Sequence, residues 1–162
     1  MKTTDIKEQS DKTNGLQMPT PNPALKRLDV LVGTWDIKGR VSGPEGEVSG
    51  EAVFKWLPGK FFLEQRFSMN FLGQKVEGVE IIGYDPSTKA FVSSVYSNLG
   101  AAPPYRWDVV NNVVTHSTEG ANYKGTLSSD GKKLTGRWEP EKGKETSANV
   151  AYDTTMKRIN EE

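Results

Sequence analysis

The chain has 162 residues, the usual size of a single domain. Its 21 Lys and Arg residues balance its 21 Asp and Glu residues, and this zero net charge gives no basic footprint for nucleic acid. The chain has no cysteine, which excludes disulfides, a thiol nucleophile and Cys-ligated metals. Its longest apolar runs are only a few residues, too short to span a membrane.

The N-terminal segment is polar, and residues 1–22 are predicted to form a disordered tail. Such a segment cannot bury enough apolar surface to offset the entropy cost of ordering it. It also lacks the apolar core of a signal peptide, so we expect a cytoplasmic protein. Residues 23–160 are predicted to form one domain.

A short helix is predicted over residues 24–31, with Asn22 as its N-cap and Pro23 at its first position. The apolar residues at helical spacing are Leu25, Leu28 and either Leu31 or Val32. This apolar face is expected to pack against one end of the domain and close it.

The first strand begins at Gly33, where the absence of a Cβ lets the chain turn out of the helix. In it Trp35, Ile37 and Val41 share one face, which is the period-2 pattern of a half-buried strand. A second such series lies far downstream: Val150, Tyr152, Thr154, Met156 and Arg158. In a closed barrel this last strand pairs with the first, so Arg158 would stack on Trp35. Alternatively, Trp35 is a core aromatic and Arg158 a surface charge.

Between these two strands, short alternating segments are separated by turn signals at residues 43–46, Leu72-Gly73 and Asn111-Asn112. They predict an all-β fold, an up-and-down antiparallel barrel of about ten strands. An open two-sheet sandwich is the alternative. Glycines at strand centres favour the barrel, because its strands must bend: Gly50, Gly78, Gly125 and Gly136.

Four segments resemble a known group of proteins: residues 31–35 (LVGTW), 56–62 (WLPGKFF), 80–86 (EIIGYDP) and, more weakly, 134–138 (LTGRW). Gly-x-Trp on the first strand with a late Arg resembles the signature of the lipocalin and calycin superfamily. The chain is most similar to an uncharacterised bacterial family of lipocalin-like barrels. The resemblance spans residues 24–158 and implies a fold, with Gly33, Trp35 and Arg158 closing the barrel, but no settled activity.

A barrel of this strand number has room for a small ligand, although side chains can also fill the interior. Strand parity turns a set of aromatic residues inward, including Phe61. The predicted ligand-binding residues are Gln65, Phe67, Met69, Glu80, Tyr84, Tyr96, Tyr105, Trp107, His116, Tyr123, Trp138 and Tyr152.

Two polar residues in this set, Gln65 and Glu80, fall on otherwise apolar faces. A buried carboxylate is costly unless it is paired or protonated. Glu80 is therefore expected to pair with an arginine, bind a ligand, or hydrogen-bond Tyr84 or Tyr96. A bulge that exposes Glu80 at a strand end is the alternative.

His116 is the only histidine. Related heme-binding barrels use a single axial histidine, but the surrounding pattern of those proteins is missing, so we expect no heme and no other cofactor. Without a second His or any Cys, we also expect no metal site. No Ser-His-Asp set or phosphate-binding loop can be assembled, and Glu64 and Glu80 fall on opposite faces.

Three functions remain open. The first is binding of a small hydrophobic or amphipathic molecule in the barrel, by a monomer or homodimer. The second is an isomerase or hydrolase that uses Glu80 as acid or base, which requires a raised pKa for Glu80. The third is a structural module that dimerises through an edge or apolar patch.

Overall fold

The computed structural model describes residues 15–42 and 46–161 of the chain. The described residues do not include positions 1–14 of the predicted tail. They also do not include positions 43–45 of the turn predicted at residues 43–46. The elements are a 3-10 helix, Pro23–Leu31, and strands β1 Gly33–Val41, β2 Glu47–Trp56, β3 Phe62–Phe71, β4 Gln74–Asp85, β5 Ala90–Ser97, β6 Gly100–Ala101, β7 Tyr105–Val110, β8 Val113–Thr118, β9 Ala121–Leu127, β10 Lys133–Pro140 and β11 Tyr152–Asn160.

Ten strands form a closed antiparallel barrel. Their order is β4-β3-β2-β1-β11-β10-β9-β8-β7-β5, and β5 pairs back onto β4 to complete the ring. The two-residue β6 pairs only with β5 and stands outside the ring. A closed ring leaves no long edge open to water, which an open sandwich would have to protect.

Two tight hairpins show the turn chemistry that the sequence predicts. Asn111 and Asn112 have φ values of 49° and 64°, and Leu72 and Gly73 have values of 52° and 82°. Left-handed conformation at both central residues matches the right-handed twist of the flanking strands. Asparagine and glycine adopt it at low cost, whereas Leu72 does so against its preference.

The N-terminal helix is a 3-10 helix and not the α-helix implied by helical spacing. Its buried residues, Leu25, Leu28 and Leu31, recur every third position and therefore form one stripe when the helix has three residues per turn. Asn22 caps it by accepting a hydrogen bond from the Ala24 amide at 2.9 Å. The leucine stripe joins the hydrophobic core of the barrel.

The two rims of the barrel differ. The helix rim carries the 3-10 helix and the turns at residues 57–61, 86–89, 111–112 and 128–132. There the Trp56 indole donates to Asp29 at 2.8 Å, and Arg27 pairs with Asp108 at 3.1 Å. The opposite rim, here the open rim, carries the longer connections at residues 98–104 and 141–151.

Barrel closure occurs where β1 meets β11. Trp35 lies opposite Arg158, whose guanidinium carbon is 4.3 Å from the centre of the indole ring. Arg158 also donates hydrogen bonds to the backbone carbonyls of Val32, Val30 and Gly131. At Gly33, with φ of 131°, a Cβ would lie 2.4 Å from a backbone oxygen of β11, so only glycine fits.

No helix in the described part of the chain is both long and apolar enough to cross a membrane.

Candidate functional site

The barrel encloses a cavity of about 530 Å³. At the helix rim its wall includes Leu31 and Trp35, and towards the open rim it includes residues 99–102 and 148–150. Most lining side chains are apolar or aromatic. The volume falls within the range of about 300–1,000 Å³ that is common for small-molecule pockets.

An aromatic belt runs around one half of the cavity, formed by Trp107, His116, Tyr123, Trp138 and Tyr152. These residues come from five neighbouring strands, β7 to β11, and each lies directly opposite the next. The His116 ring stacks on Trp107 with ring centres 3.7 Å apart, and Trp138 contacts Tyr123 at 5.5 Å and Tyr152 at 6.4 Å. Strand register alone therefore brings these rings together, since cross-strand partners share a face.

Glu80 lies on β4 beside this belt and is only 2% exposed. Its Oε1 accepts three hydrogen bonds, from Ser93 Oγ at 2.6 Å, Trp107 Nε1 at 2.8 Å and His116 Nε2 at 3.0 Å. The three donors stand on β5, β7 and β8, the next strands around the ring. Among the described residues, no donor meets the second oxygen, Oε2, although Glu80 lines the cavity.

These contacts decide the charge of Glu80. Burial acts to raise its pKa, but the ionic attraction of His116 and the hydrogen bonds from His116, Ser93 and Trp107 outweigh burial and hold the pKa below its usual value. Glu80 is therefore a carboxylate at neutral pH. Burial, and after it the negative charge of Glu80, raises the pKa of the neighbouring Tyr105 hydroxyl.

His116 is held on three sides. Its Nε2 faces Glu80, one ring contact is the stacked Trp107, and Tyr105 lies at 4.7 Å on a tilted ring. Its Nδ1 makes no hydrogen bond to any residue that the structure describes. Within residues 15–42 and 46–161, no group of three or more His, Asp or Glu side chains is placed to hold a metal ion.

The position of the Tyr123 ring explains why two strand residues, Gly125 and Gly136, are glycines. A Cβ on Gly125 would lie 2.3 Å from the Tyr123 hydroxyl oxygen, and one on Gly136 would lie 2.4 Å from it. The two glycines face each other across β9 and β10, so they leave the space that the phenol ring fills. Burial raises the pKa of Tyr123 to about 12, although nearby Thr154 acts in the opposite direction. Among the described side chains, the Tyr123 hydroxyl stands out as buried without a well-formed hydrogen bond.

Replacing Gly125 with alanine is expected to lower the free energy of unfolding by about 1–3 kcal/mol, because the new methyl group overlaps Tyr123. In a Tyr123→Leu background the same change should cost much less, since the atoms nearest to the methyl group are gone. Urea unfolding of the two single variants and the double variant measures this coupling. Equal costs in the two backgrounds would show that the glycine serves strand bending instead.

Ten of the twelve predicted ligand-binding residues line the cavity: Gln65, Phe67, Met69, Glu80, Tyr105, Trp107, His116, Tyr123, Trp138 and Tyr152. Gln65 lies directly opposite Glu80 across β3 and β4. The geometry thus assembles them around one space, while their contact with a ligand stays a prediction.

Two predicted residues lie elsewhere. Tyr96 points outward from β5 and is 57% exposed, because Phe91, Ser93 and Val95 occupy the inward positions of that strand. Tyr84 lies near the helix rim and packs edge-on against Phe91 at 5.7 Å, outside the cavity lining. Neither hydrogen-bonds Glu80, whose partners are those described above. Phe61, also predicted to face inward, precedes β3 and does not line the cavity.

The sequence did not point to Ser93, which donates the shortest of the three hydrogen bonds to Glu80. A serine within an apolar strand carries no distinctive signal. The inward parity of Phe91 and Val95 was the available clue. Asn149, which lines the cavity from the loop before β11, was also missed because loops have no periodicity.

Fold and site together define a closed antiparallel β-barrel with an internal, mainly apolar cavity. The chain belongs to the family described as "Protein of unknown function (DUF1579)", which matches residues 20–103, more than half of its length. No curated protein matches the chain.

Several solved structures are similar to this barrel. A protein from M. tuberculosis, Rv2717c, is 17% identical, with a TM-score of 0.48 over 85% of this chain and 98% of that one. A de novo designed fluorescence-activating β-barrel is 19% identical, with a TM-score of 0.43 over 78% and 92% of the two chains. A protein bound to DFHBI, EF1p2_mFAP2b, is 12% identical, with a TM-score of 0.40 over 83% and 98%. At these scores we draw no functional conclusion from the similarities.

Proposed function

We propose that the protein binds a small hydrophobic or amphipathic molecule inside the barrel. The observation that carries this proposal is the cavity of about 530 Å³, lined mainly by apolar and aromatic side chains with a few convergent polar groups. The polar groups are concentrated at Glu80, Gln65, His116 and the tyrosine hydroxyls. In this proposal the belt supplies affinity and the polar groups orient the ligand.

We also propose that the ligand enters through the open rim. The leucine stripe of the 3-10 helix is buried in the core, which supports a role for this helix in closing the other end. The lipocalin-like classification is part of this proposal. It is supported by the contact between Trp35 and Arg158 at the closure of the barrel.

The proposal includes no heme or other cofactor. The contacts of His116 support this view, because its Nε2 is engaged by Glu80 and its ring packs against Trp107 and Tyr105. An iron would have to use Nδ1. A Soret band on titration with hemin that is lost in His116→Ala would contradict this part of the proposal.

The enzyme hypothesis is less well supported. It requires a raised pKa for Glu80, whereas the contacts of Glu80 lower that pKa. A dimeric module is also less favoured, because residues of a single chain are enough to line the cavity. Light scattering at several concentrations distinguishes a monomer from a homodimer.

Binding of the neutral probe N-phenyl-1-naphthylamine tests the proposal through the fluorescence increase on transfer to an apolar site. We expect a saturable signal that Val76→Trp weakens by about tenfold or more, because Val76 lines the cavity and the indole fills it. Glu77→Trp is the matched control, since Glu77 is the next residue of β4 and is exposed. Equal effects of the two substitutions, or no saturable signal, would refute binding in the barrel.

A further inference from the structure

The described wall of the cavity carries a negatively charged side chain and lacks lysine and arginine. Among the described residues, Glu80 is the only carboxylate on the lining, and no lysine or arginine lines it. The imidazole of His116 also lies on the lining, and its Nε2 is already engaged by Glu80 Oε1. The remaining polar groups, such as Gln65, Tyr105 and Tyr152, are uncharged.

One oxygen of the Glu80 carboxylate lacks a hydrogen-bond donor among the described residues. Three donors saturate Oε1 of Glu80, while Oε2 meets no donor from the described residues. A carboxylate oxygen in a poorly solvated site gains most from a charged donor, because charge-assisted hydrogen bonds are roughly twice as strong as neutral ones. Gln65 lies directly across from Glu80 on β3, and both side chains line the cavity.

The belt favours the same kind of ligand. Trp107, Trp138 and Tyr152 present aromatic rings to the cavity, and aromatic faces attract organic cations. An anionic amphiphile such as a fatty acid would instead bring a second negative charge next to Glu80, and no lysine or arginine on the described lining is present to pair with it, which is costly in a low-dielectric site.

Building on the proposed function, we infer that the cavity selects an organic cation: an ammonium or amidinium group on an apolar, aromatic body, with the cationic group on Oε2 of Glu80. This assigns Glu80 as the residue that determines ligand charge, and the belt as the site of the apolar body. Anionic amphiphiles of equal size are rejected.

Three probes of matched shape test this inference by isothermal titration calorimetry at neutral pH: 1-naphthylmethylamine, 1-naphthalenemethanol and 1-naphthylacetate. The expected order of affinity is amine, then alcohol, then acid, with the amine favoured over the alcohol by about tenfold or more. Glu80→Gln should remove the preference for the amine, so that the amine and the alcohol bind this variant with affinities within about threefold of each other. Circular dichroism and thermal unfolding verify that the variant is folded.

A second pair of variants keeps Glu80 in place. Gln65→Lys puts a cation opposite Glu80 and should abolish the amine preference, whereas Ser68→Lys adds the same charge on the exposed face of β3 and should retain it. Equal binding of the three probes, or tightest binding of the acid, would overturn the inference and leave the proposed function intact. Failure of all three probes and of N-phenyl-1-naphthylamine to bind would overturn both.

Discussion

Replacing Glu80 with leucine is expected to lower the free energy of unfolding by about 3–5 kcal/mol. The substitution leaves the Trp107 indole, the Ser93 hydroxyl and the His116 imidazole without their shared acceptor, and each buried donor left unpaired costs about 1–3 kcal/mol. Glu80→Gln should cost about 1–3 kcal/mol, because its amide oxygen still accepts hydrogen bonds from two neutral donors. Urea unfolding at neutral pH measures both values.

The contribution of Glu80 to the free energy of unfolding depends on pH. Because the folded pKa of Glu80 lies below its ordinary value of 4.5, the carboxylate stabilises the native state above that value. This contribution is lost as the pH falls through the lowered folded pKa. The difference in stability between the native protein and Glu80→Leu should therefore be fully present only well above pH 4.5 and should shrink as the solution becomes more acidic than that. A difference that does not change down to acid unfolding would contradict an ionised Glu80.

The second large effect is expected at the closure of the barrel. Trp35→Ala should lower the free energy of unfolding by about 3–5 kcal/mol, since Trp35 is fully buried and truncation leaves a large void. The substitution also removes the indole donor to the Leu31 carbonyl at 2.8 Å and the aromatic face beneath Arg158. Denaturant unfolding followed by far-ultraviolet circular dichroism provides the measurement.

Trp56→Ala is the matched control for this prediction. Trp56 also donates its indole hydrogen bond to the helix, through Asp29, but it is only partly buried. Its replacement should cost clearly less than that of Trp35. Similar losses at the two tryptophans would mean that the helix contact, and not the closure with Arg158, dominates the effect of Trp35.

The sequence predicted the barrel because its ends carry clear patterns. Period-2 apolar residues in β1 and β11 indicated two strands with a buried face, and Asn111-Asn112 indicated a hairpin without reference to any other part of the chain. Closure then follows from the need to leave no edge unpaired. The 3-10 character of the N-terminal helix was not predictable in this way, because leucines three apart are compatible with both helix types.

The candidate site was predicted only in part. Parity placed Glu80 on an otherwise apolar face, and His116 was included among the predicted ligand-binding residues, but their contact joins residues 36 positions apart on strands that are not consecutive in sequence. It depends on the registers of β4, β5, β7 and β8 together, and one residue of slip in any of them reverses its faces. Tyr96 was misplaced for this reason: the inward face of β5 belongs to Phe91 and Ser93.

The pairing of β1 with β11 also has a consequence for how the protein is made. Both neighbours of β1 are needed before its hydrogen-bonding groups are satisfied, and one of them is the strand synthesised last of the eleven. Until the ribosome has added that strand, the growing sheet has two edge strands with unpaired backbone groups. Contacts between such distant segments form slowly, so the nascent chain spends this interval exposed to unwanted partners. Pairing of β11 with β1, which brings Arg158 onto Trp35, therefore ends the period in which both edges are exposed.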